Sequence, residues 1–412
     1  MPPPDLYDVL VIGGGQAGIP LGRALAAKGL RVALAERRHL GGSCVNFGCT
    51  PTKAAIASAR IAHQSRRAAE WGVRVGEVAV DFPAVIARAR AIAEHSRHAL
   101  EAGFAQAPNP VLLRGHARLD GRTDAGFRVR VGDRDAVART VVLNTGTRTA
   151  MPPIEGLAEI GVIHAGNWLD RTTLPASLAI IGSGPIGLEM AQFYRRMGSA
   201  VTVIDNAARI AHVEDDDVAG AMQALLEAEG IRFRLGEALR HAEGRGDRVV
   251  LHTRQGPTIE ASALFVATGR RPNTDDLGLE TVGLVPDAHG VVPCDERLAT
   301  PVAGIWVAGD IRGGPMFTHT SWDDHRILLS QLAGDGARTT RRIVPYAIFT
   351  DPELGRVGLT EAEAAREGRG VHIGRFEMAQ NGKAAEVGES AGFIKVLVDA
   401  ESDAILGAAV LA

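Results

Sequence analysis

A chain of 412 residues is too long for one simple core, so about two to three domains are expected. With 46% hydrophobic and 23% charged residues the composition is that of an ordinary globular protein, and a net charge of −3 points to no nucleic-acid and no membrane partner. The sequence predicts no membrane span, and the Pro-rich start, Met1 to Tyr7, leads straight into an apolar strand rather than forming a secretory signal, so a cytoplasmic location is expected.

In chain order the first feature is a strand–glycine–helix–strand unit. The apolar strand Val9 to Ile12 meets Gly13-Gly14-Gly15-Gln16-Ala17-Gly18. A helical stretch then runs to Gly29, and the strand Val32 to Ala35 ends in Glu36. In such a unit one glycine makes the turn, one lets the backbone approach a pyrophosphate, and one lets helix pack on strand. The helix N-terminus presents free N–H groups and partial positive charge to phosphate, and the terminal acid accepts hydrogen bonds from a ribose.

Next comes Gly41-Gly42-Ser43-Cys44-Val45-Asn46-Phe47-Gly48-Cys49-Thr50-Pro51-Thr52-Lys53. Pro51 suits the first turn of a helix continuing through Ala54 to Ala62. Cys49 then lies at a helix N-terminus, where dipole and free N–H groups favour thiolate. Lys53 adds positive charge one turn later. With only three cysteines in the chain a disulfide-stapled scaffold is excluded, and such a close pair points to redox or metal chemistry. Two buried free thiols, or part of a metal site, are the other readings. No second Cys and His cluster accompanies the pair, which argues against structural zinc. Cys294 stands alone and reads as a small buried or half-buried residue.

The first layout recurs from Leu178 to Asp205. A strand meets Gly182-Ser183-Gly184-Pro185-Ile186-Gly187, a helix ends at Gly198, and the strand Val201 to Ile204 ends in Asp205. Two such units suggest two dinucleotides, a flavin and a nicotinamide, with the flavin in the first because the cysteines follow Glu36 closely. The apolar strands Val141 to Gly146 and Ala263 to Gly269 each end in Thr-Gly, as though closing the two domains, and Gly304 to Asp310 forms a strand ending in Gly-Asp.

The cysteine segment closely resembles the active-site motif of class I flavoprotein disulfide reductases. That family includes dihydrolipoamide dehydrogenase, glutathione reductase and mercuric reductase. The likeness runs from about residue 7 to the end of the chain. Gly313 to His319 and Asp323-Asp324-His325-Arg326-Ile327 are most similar to its mercuric-reductase-like branch, which contains the copper reductase of reactive-chlorine resistance. The resemblance implies an α/β fold with two Rossmann-like dinucleotide-binding domains, for FAD and NAD, and a truncated α+β interface domain. The expected division is 1–150 for the first part of the FAD domain, 151–273 for the NAD(P) domain, 274–340 for the second part of the FAD domain, and 341–412 for a partial dimerisation domain.

The resemblance also assigns residues. Gly13, Gly15, Gly18 and Glu36 would hold the ADP half of FAD, Gly115 would meet the adenine, and Asp310 the ribityl–pyrophosphate region. Met316 to His319 would start a helix aimed at the flavin. Gly42, Ser43, Lys53, Thr145, Gly146, Met316, His319 and Gly269 complete the cofactor-binding set. Gly182, Gly184, Gly187 and Asp205 would hold the nicotinamide dinucleotide. Asp205 favours NAD(H) over NADP(H), while Arg209 nearby keeps NADP(H) open. Pro185 stands where several relatives keep a tyrosine gate.

Cys44, Cys49, Lys53 and Glu189 are the expected catalytic residues, with Glu189 pairing Lys53 and no resident metal. Electrons would pass from the nicotinamide through flavin to the Cys44–Cys49 disulfide and on to a metal ion or small disulfide. Cys49 would face the flavin and Cys44 the acceptor. Dihydrolipoamide dehydrogenase activity is the alternative, and a flavin-binding redox sensor or inactive fragment a further one. The family is homodimeric, and its His-Pro acid/base motif falls near its C-terminus. The only histidine here after Pro345 is His372. Weakened dimerisation, exposed apolar surface and impaired disulfide reduction are therefore expected of this chain, read as a fragment.

Overall fold

The structure, a computed structural model, describes residues 5–105, 110–254 and 256–412. Residues 1–4, which carry part of the Pro-rich start, lie outside the described residues. The chain forms two compact units. One comprises the stretches up to Pro51, Arg90–Arg148 and Arg270–Arg342, and the other Thr52–Ala89, Thr149–Gly269 and Ile343–Ala412.

The first unit is built on a seven-stranded sheet. Strands Val111–Arg114, Val32–Glu36, Asp5–Ile12, Arg134–Leu143, Gly126–Val131 and Ala117–Thr123 lie in that order, and Ile305–Val307 also pairs with Arg134–Leu143. Asp5–Ile12 runs parallel to both neighbours, in register Val9 with Val32 and Val9 with Thr140. Successive side chains of a strand point to opposite faces. Accordingly Leu10 and Ile12 join one buried cluster, while Val9 and Val11 join another with Leu21 and Leu25 of helix Gly18–Ala27. A parallel strand covered on both faces needs this near-continuous apolar run.

The second unit contains a five-stranded parallel sheet in the order Arg232–Arg234, Ala200–Ile204, Ser177–Ile181, Ala263–Val266, Ile163–His164. Helix Pro185–Met197 crosses between the second and third of these strands and ends at Gly198, which adopts φ +124. Its Phe193 and Tyr194 pack with Phe82 and Trp168 at ring separations of 5.0–6.1 Å. The last stretch of chain supplies a five-stranded antiparallel sheet, ordered Tyr346–Ile348, Leu354–Gly358, Ile405–Leu411, Phe393–Asp399, Val371–Glu377.

A buried ionic cluster ties that antiparallel sheet to helix Asp216–Ala228 of the same unit. Lys395, 1% exposed, donates to Asp217 at 2.8 Å and to Glu361, and lies 3.3 Å from Asp215. Burial alone lowers an ammonium pKa, but here the bonds from Asp217 and Glu361 prevail and hold Lys395 above its ordinary value. Asp215, Asp217 and Glu361 are the one carboxylate trio among the described residues close enough to share a metal ion, and Lys395 already occupies it.

Candidate functional site

The predicted site residues fall into two groups, one in each unit. In the first unit the glycine loop is dictated by close backbone packing. Gly13 has φ +111, and a Cβ built on it would lie 2.2 Å from the carbonyl oxygen of Asn144. A Cβ on Gly18 would lie 2.1 Å from the Gly13 carbonyl oxygen. No side chain fits either position. Glu36, at the end of the second strand, turns its Oε2 back to accept the Gly14 N–H at 2.9 Å. The Asn144 amide donates to the Gly13 carbonyl at 3.1 Å, so the segment Asn144-Thr145-Gly146 after strand Arg134–Leu143 braces the loop.

The second unit repeats this construction. Gly182 has φ +106 with its built Cβ 2.4 Å from the Ala267 carbonyl oxygen, and a Cβ on Gly187 would lie 2.0 Å from the Gly182 carbonyl oxygen. Asp205 accepts from the Ser183 N–H at 2.7 Å, the Ser183 hydroxyl at 2.6 Å and the Ala207 N–H at 2.9 Å. At Gly184 a built Cβ meets nothing within 4 Å. The space before that backbone is free, as the close approach of a diphosphate requires. Arg209 is bound within its own loop: Nη2 donates to the carbonyls of His212 and Glu214 at 3.1 and 3.0 Å, and Nη1 pairs with Asp216. Gly269, with φ +105, has no atom within 4 Å of a built Cβ.

The cysteine segment packs directly on the first glycine loop. Gly41 donates its N–H to the Gly14 carbonyl at 2.7 Å, and Gln16 Nε2 donates to the Gly41 carbonyl at 3.1 Å. A Cβ on Gly42 would lie 2.9 Å from Gly15 Cα. The short helix Gly42–Asn46 carries Ser43 and Cys44, and its Ser43 carbonyl accepts the N–H of Gly48 at 2.6 Å. That turn hands the chain to helix Cys49–Arg67. Cys49 is therefore the first helical residue, one turn or less before Pro51, whose missing N–H falls among the unpaired donors of a first turn.

The structure holds both cysteines as thiols, Cys49 exposed and Cys44 half-buried. The hydrogen bond with Cys49, followed by burial, pushes the Cys44 thiol well above its ordinary range, so Cys44 keeps its proton. Thr318, the first residue of helix Thr318–Ala333, places its Oγ1 3.1 Å from Cys49 Sγ. The Thr318 hydroxyl also acts on Cys44, in the opposite sense to Cys49. Met316 and His319 are the residues expected in this segment, and nothing in the sequence distinguishes Thr318. Met316 precedes the helix, and His319 is exposed and stacks on Phe317 at 5.4 Å.

Asp310 accepts from the Thr147 hydroxyl at 2.9 Å, and Arg270 lies 3.5 Å from it. Thr145 donates its hydroxyl to the Asn273 carbonyl at 2.9 Å, and Gly146, with φ +64, accepts the Asn273 N–H at 2.9 Å. Gly115, φ +142, donates its N–H to the Glu36 carbonyl at 3.1 Å.

Lys53 and Glu189 meet within the second unit. Lys53 Nζ donates to Glu189 Oε2 at 2.7 Å, and Glu189 Oε1 accepts the Phe349 N–H at 3.0 Å. The ammonium also stands 4.3 Å from the centre of the Phe349 ring. Phe349 was not anticipated, because nothing in the sequence ties that turn to helix Pro185–Met197. No helix among the described residues is long and apolar enough to cross a membrane.

Comparison with known proteins places the chain among relatives of known family. The family model described as pyridine nucleotide-disulphide oxidoreductase matches residues 7–324, and that of its dimerisation domain matches residues 344–412. The dihydrolipoyl dehydrogenase of Cupriavidus necator is 34% identical over 98% of this chain and 88% of its own length. The probable pyridine nucleotide-disulfide oxidoreductase RclA of Escherichia coli is 31% identical over 98% of this chain and 89% of its own. The solved Cu(II) complex of that HOCl-induced flavoprotein disulfide reductase superposes with a TM-score of 0.90, covering 99% of this chain and 89% of the other at 31% identity.

Proposed function

The chain belongs to the pyridine nucleotide-disulphide oxidoreductase family, whose members depend on FAD and NAD(P), and we propose that it uses Cys44 and Cys49 as the dithiol that reduces a metal ion or a small disulfide. The observation that carries this reading is the Cys44–Cys49–Thr318 cluster, one sulfur protonated and the other beside both a hydroxyl and a helix N-terminus. Bound at Gly13, Gly15, Gly18, Glu36, Gly42, Ser43, Gly115, Thr145, Gly146 and Asp310, with Met316 and His319 opening the adjoining helix, FAD supplies a two-electron carrier between the nicotinamide and this sulfur pair. The backbone constraints at Gly13 and Gly18 and the acid at Glu36 fit that assignment.

Gly182, Gly184, Gly187, Asp205 and Gly269 hold the nicotinamide dinucleotide. Asp205 presents a carboxylate where a 2′-phosphate would sit, and Arg209 is engaged within its own loop, which favours NADH over NADPH. Lys53 and Glu189 keep one fixed charge pair on the nicotinamide-binding helix. Helix polarity and the Thr318 hydroxyl stabilise negative charge on Cys49. Cys44 retains the proton and meets the acceptor. The Cys49 thiolate and Cys44 thiol close to a disulfide, giving up two electrons and the Cys44 proton. Two Cu(II) ions then become two Cu(I), or one small disulfide takes up that proton and one from solvent and becomes two thiols.

The metal reading draws on the similarity to a protein solved as a Cu(II) complex, and the dithiol–disulfide reading on the similarity to dihydrolipoyl dehydrogenases. The segment 344–412 supports a homodimer, and the sparse, paired cysteines support a cytosolic enzyme. An anaerobic visible spectrum titrated with NADH tests the core of the proposal. Flavin bleaching with a long-wavelength band that disappears in Cys49→Ser is expected. Bleaching without that band refutes the use of the cysteines. Turnover with Cu(II) or with lipoamide then separates the two acceptors.

A further inference from the structure

We propose that Asp324 is a positioning residue for flavin binding, fixing the backbone turn that presents Asp310; this rests on the flavin reading of the first unit. The sequence singled out Asp323-Asp324 as a branch signature, and the function above uses neither. Asp324 lies in the second turn of helix Thr318–Ala333 and is 0% exposed. Its Oδ2 accepts the Gly309 N–H at 2.8 Å and Arg312 Nε at 2.8 Å, and its Oδ1 accepts Arg342 Nη2 at 2.6 Å. Arg342 also reaches Asp323 at 2.6 Å. Arg312 and Arg342 thus converge on the Asp324 carboxylate, with Arg342 shared by Asp323, so both Asp324 oxygens have donors.

The knot controls Gly309. That residue has φ +73, and a Cβ on it would lie 3.0 Å from both Asn144 Oδ1 and Ser321 Oγ. The Asp324 carboxylate holds the one N–H of this left-handed residue and, through Arg312, the far end of the turn Gly309–Arg312. Asp310 sits between those two anchors, and its own carboxylate is aimed by the Thr147 hydroxyl at 2.9 Å. Neutralising Asp324 leaves Arg342 with Asp323 as its one carboxylate and Arg312 with none, and puts an amide donor against either the Gly309 turn or Arg342. The turn loses an anchor, while Gly13, Gly18 and Glu36 are untouched.

The test compares two ligands on purified holoenzyme of the wild type and Asp324→Asn. FAD dissociation is followed by flavin fluorescence on dilution, and ADP serves as a competitor that carries only the half held by the glycine loop. The expected result is an FAD Kd raised about tenfold or more, as for loss of a buried charge-assisted hydrogen bond, with ADP competition changed less than about twofold. An FAD Kd equal to that of the wild type overturns the proposal, as does equal weakening of FAD and ADP, which marks general loosening of the unit. Should Asp324→Asn fail to fold, Arg342→Gln removes one of the same carboxylate's bonds. A rise of about threefold in FAD Kd at constant ADP affinity supports the proposal, and no rise refutes it. A wild type that binds ADP but no FAD sinks the flavin reading itself.

Discussion

Removing the charge of Glu189 gives the sharpest quantitative test of the second unit. The carboxylate is 7% exposed and serves two donors, Lys53 at 2.7 Å and the Phe349 N–H at 3.0 Å, while Lys53 is 32% exposed. A hydrogen bond to a charged group contributes about 1.5–3 kcal/mol when buried, and water around a partly exposed ammonium reduces this. Glu189→Gln keeps an acceptor for Phe349 and loses only the charge, so a destabilisation of ~1–2 kcal/mol is expected. Lys53→Met does the opposite, leaving an almost buried carboxylate with only one neutral donor. That change should cost more, ~2–4 kcal/mol, because most of the penalty is the unpaired buried anion.

The asymmetry is the diagnostic feature. Chemical denaturation of both single variants and the double variant gives the coupling energy, expected at ~1–2 kcal/mol in low salt and smaller at high salt. In the same proteins, reduction of the bound flavin by NADH, followed by stopped-flow absorbance, should slow about tenfold or more in either single variant. Additive destabilisations, or a Lys53→Met variant less harmed than Glu189→Gln, would refute the argument that a paired, desolvated carboxylate organises this position.

The glycines make a paired prediction. Gly13→Ala drives its Cβ to 2.2 Å from a carbonyl oxygen at φ +111, so that protein should lose stability by several kcal/mol and be purified without flavin. Gly184→Ala meets no atom within 4 Å, so thermal stability should stay within about 1 °C while the KM for NADH rises about tenfold, read from steady-state kinetics. Thr318→Val deletes the hydroxyl 3.1 Å from Cys49 Sγ and should slow iodoacetamide alkylation of Cys49 about threefold to tenfold at neutral pH, measured in a Cys44→Ser background. For pH, burial is the leading cause that lowers the pKa of His164, whose Nδ1 accepts the Gly166 N–H at 3.0 Å. The unfolded chain then takes up its proton first, so the stability from neutral His164 is complete above about pH 6.5 and is lost progressively from there down through its lower folded-state pKa, and His164→Gln should flatten this part of a Tm-against-pH curve.

The parts legible in the sequence are those governed by local rules. Gly13 and Gly182 are required by positive φ and by a carbonyl at contact distance, so the motif and its geometry are one constraint. Helix Pro185–Met197 ends at Gly198 as its sequence indicates, and the split of Val9 and Val11 from Leu10 and Ile12 between two buried clusters follows from strand periodicity. What was not legible depends on contacts between distant segments. Thr318 is separated from Cys49 by 269 positions and Phe349 from Glu189 by 160, and no pattern within either segment encodes those meetings. Arg209 shows the same limit from the other side: its position beside Asp205 suggests a phosphate contact, but the loop's own carbonyls and Asp216 engage it. Asp324 follows this logic as well. A carboxylate in an amphipathic helix reads as surface, and only the fold reveals that Gly309, Arg312 and Arg342 converge on it without solvent. The glycines and turns of the proposed sites were therefore readable where the backbone imposes them. The groups that position them were not, because their identity is set by whatever donor or acceptor the tertiary fold brings within reach.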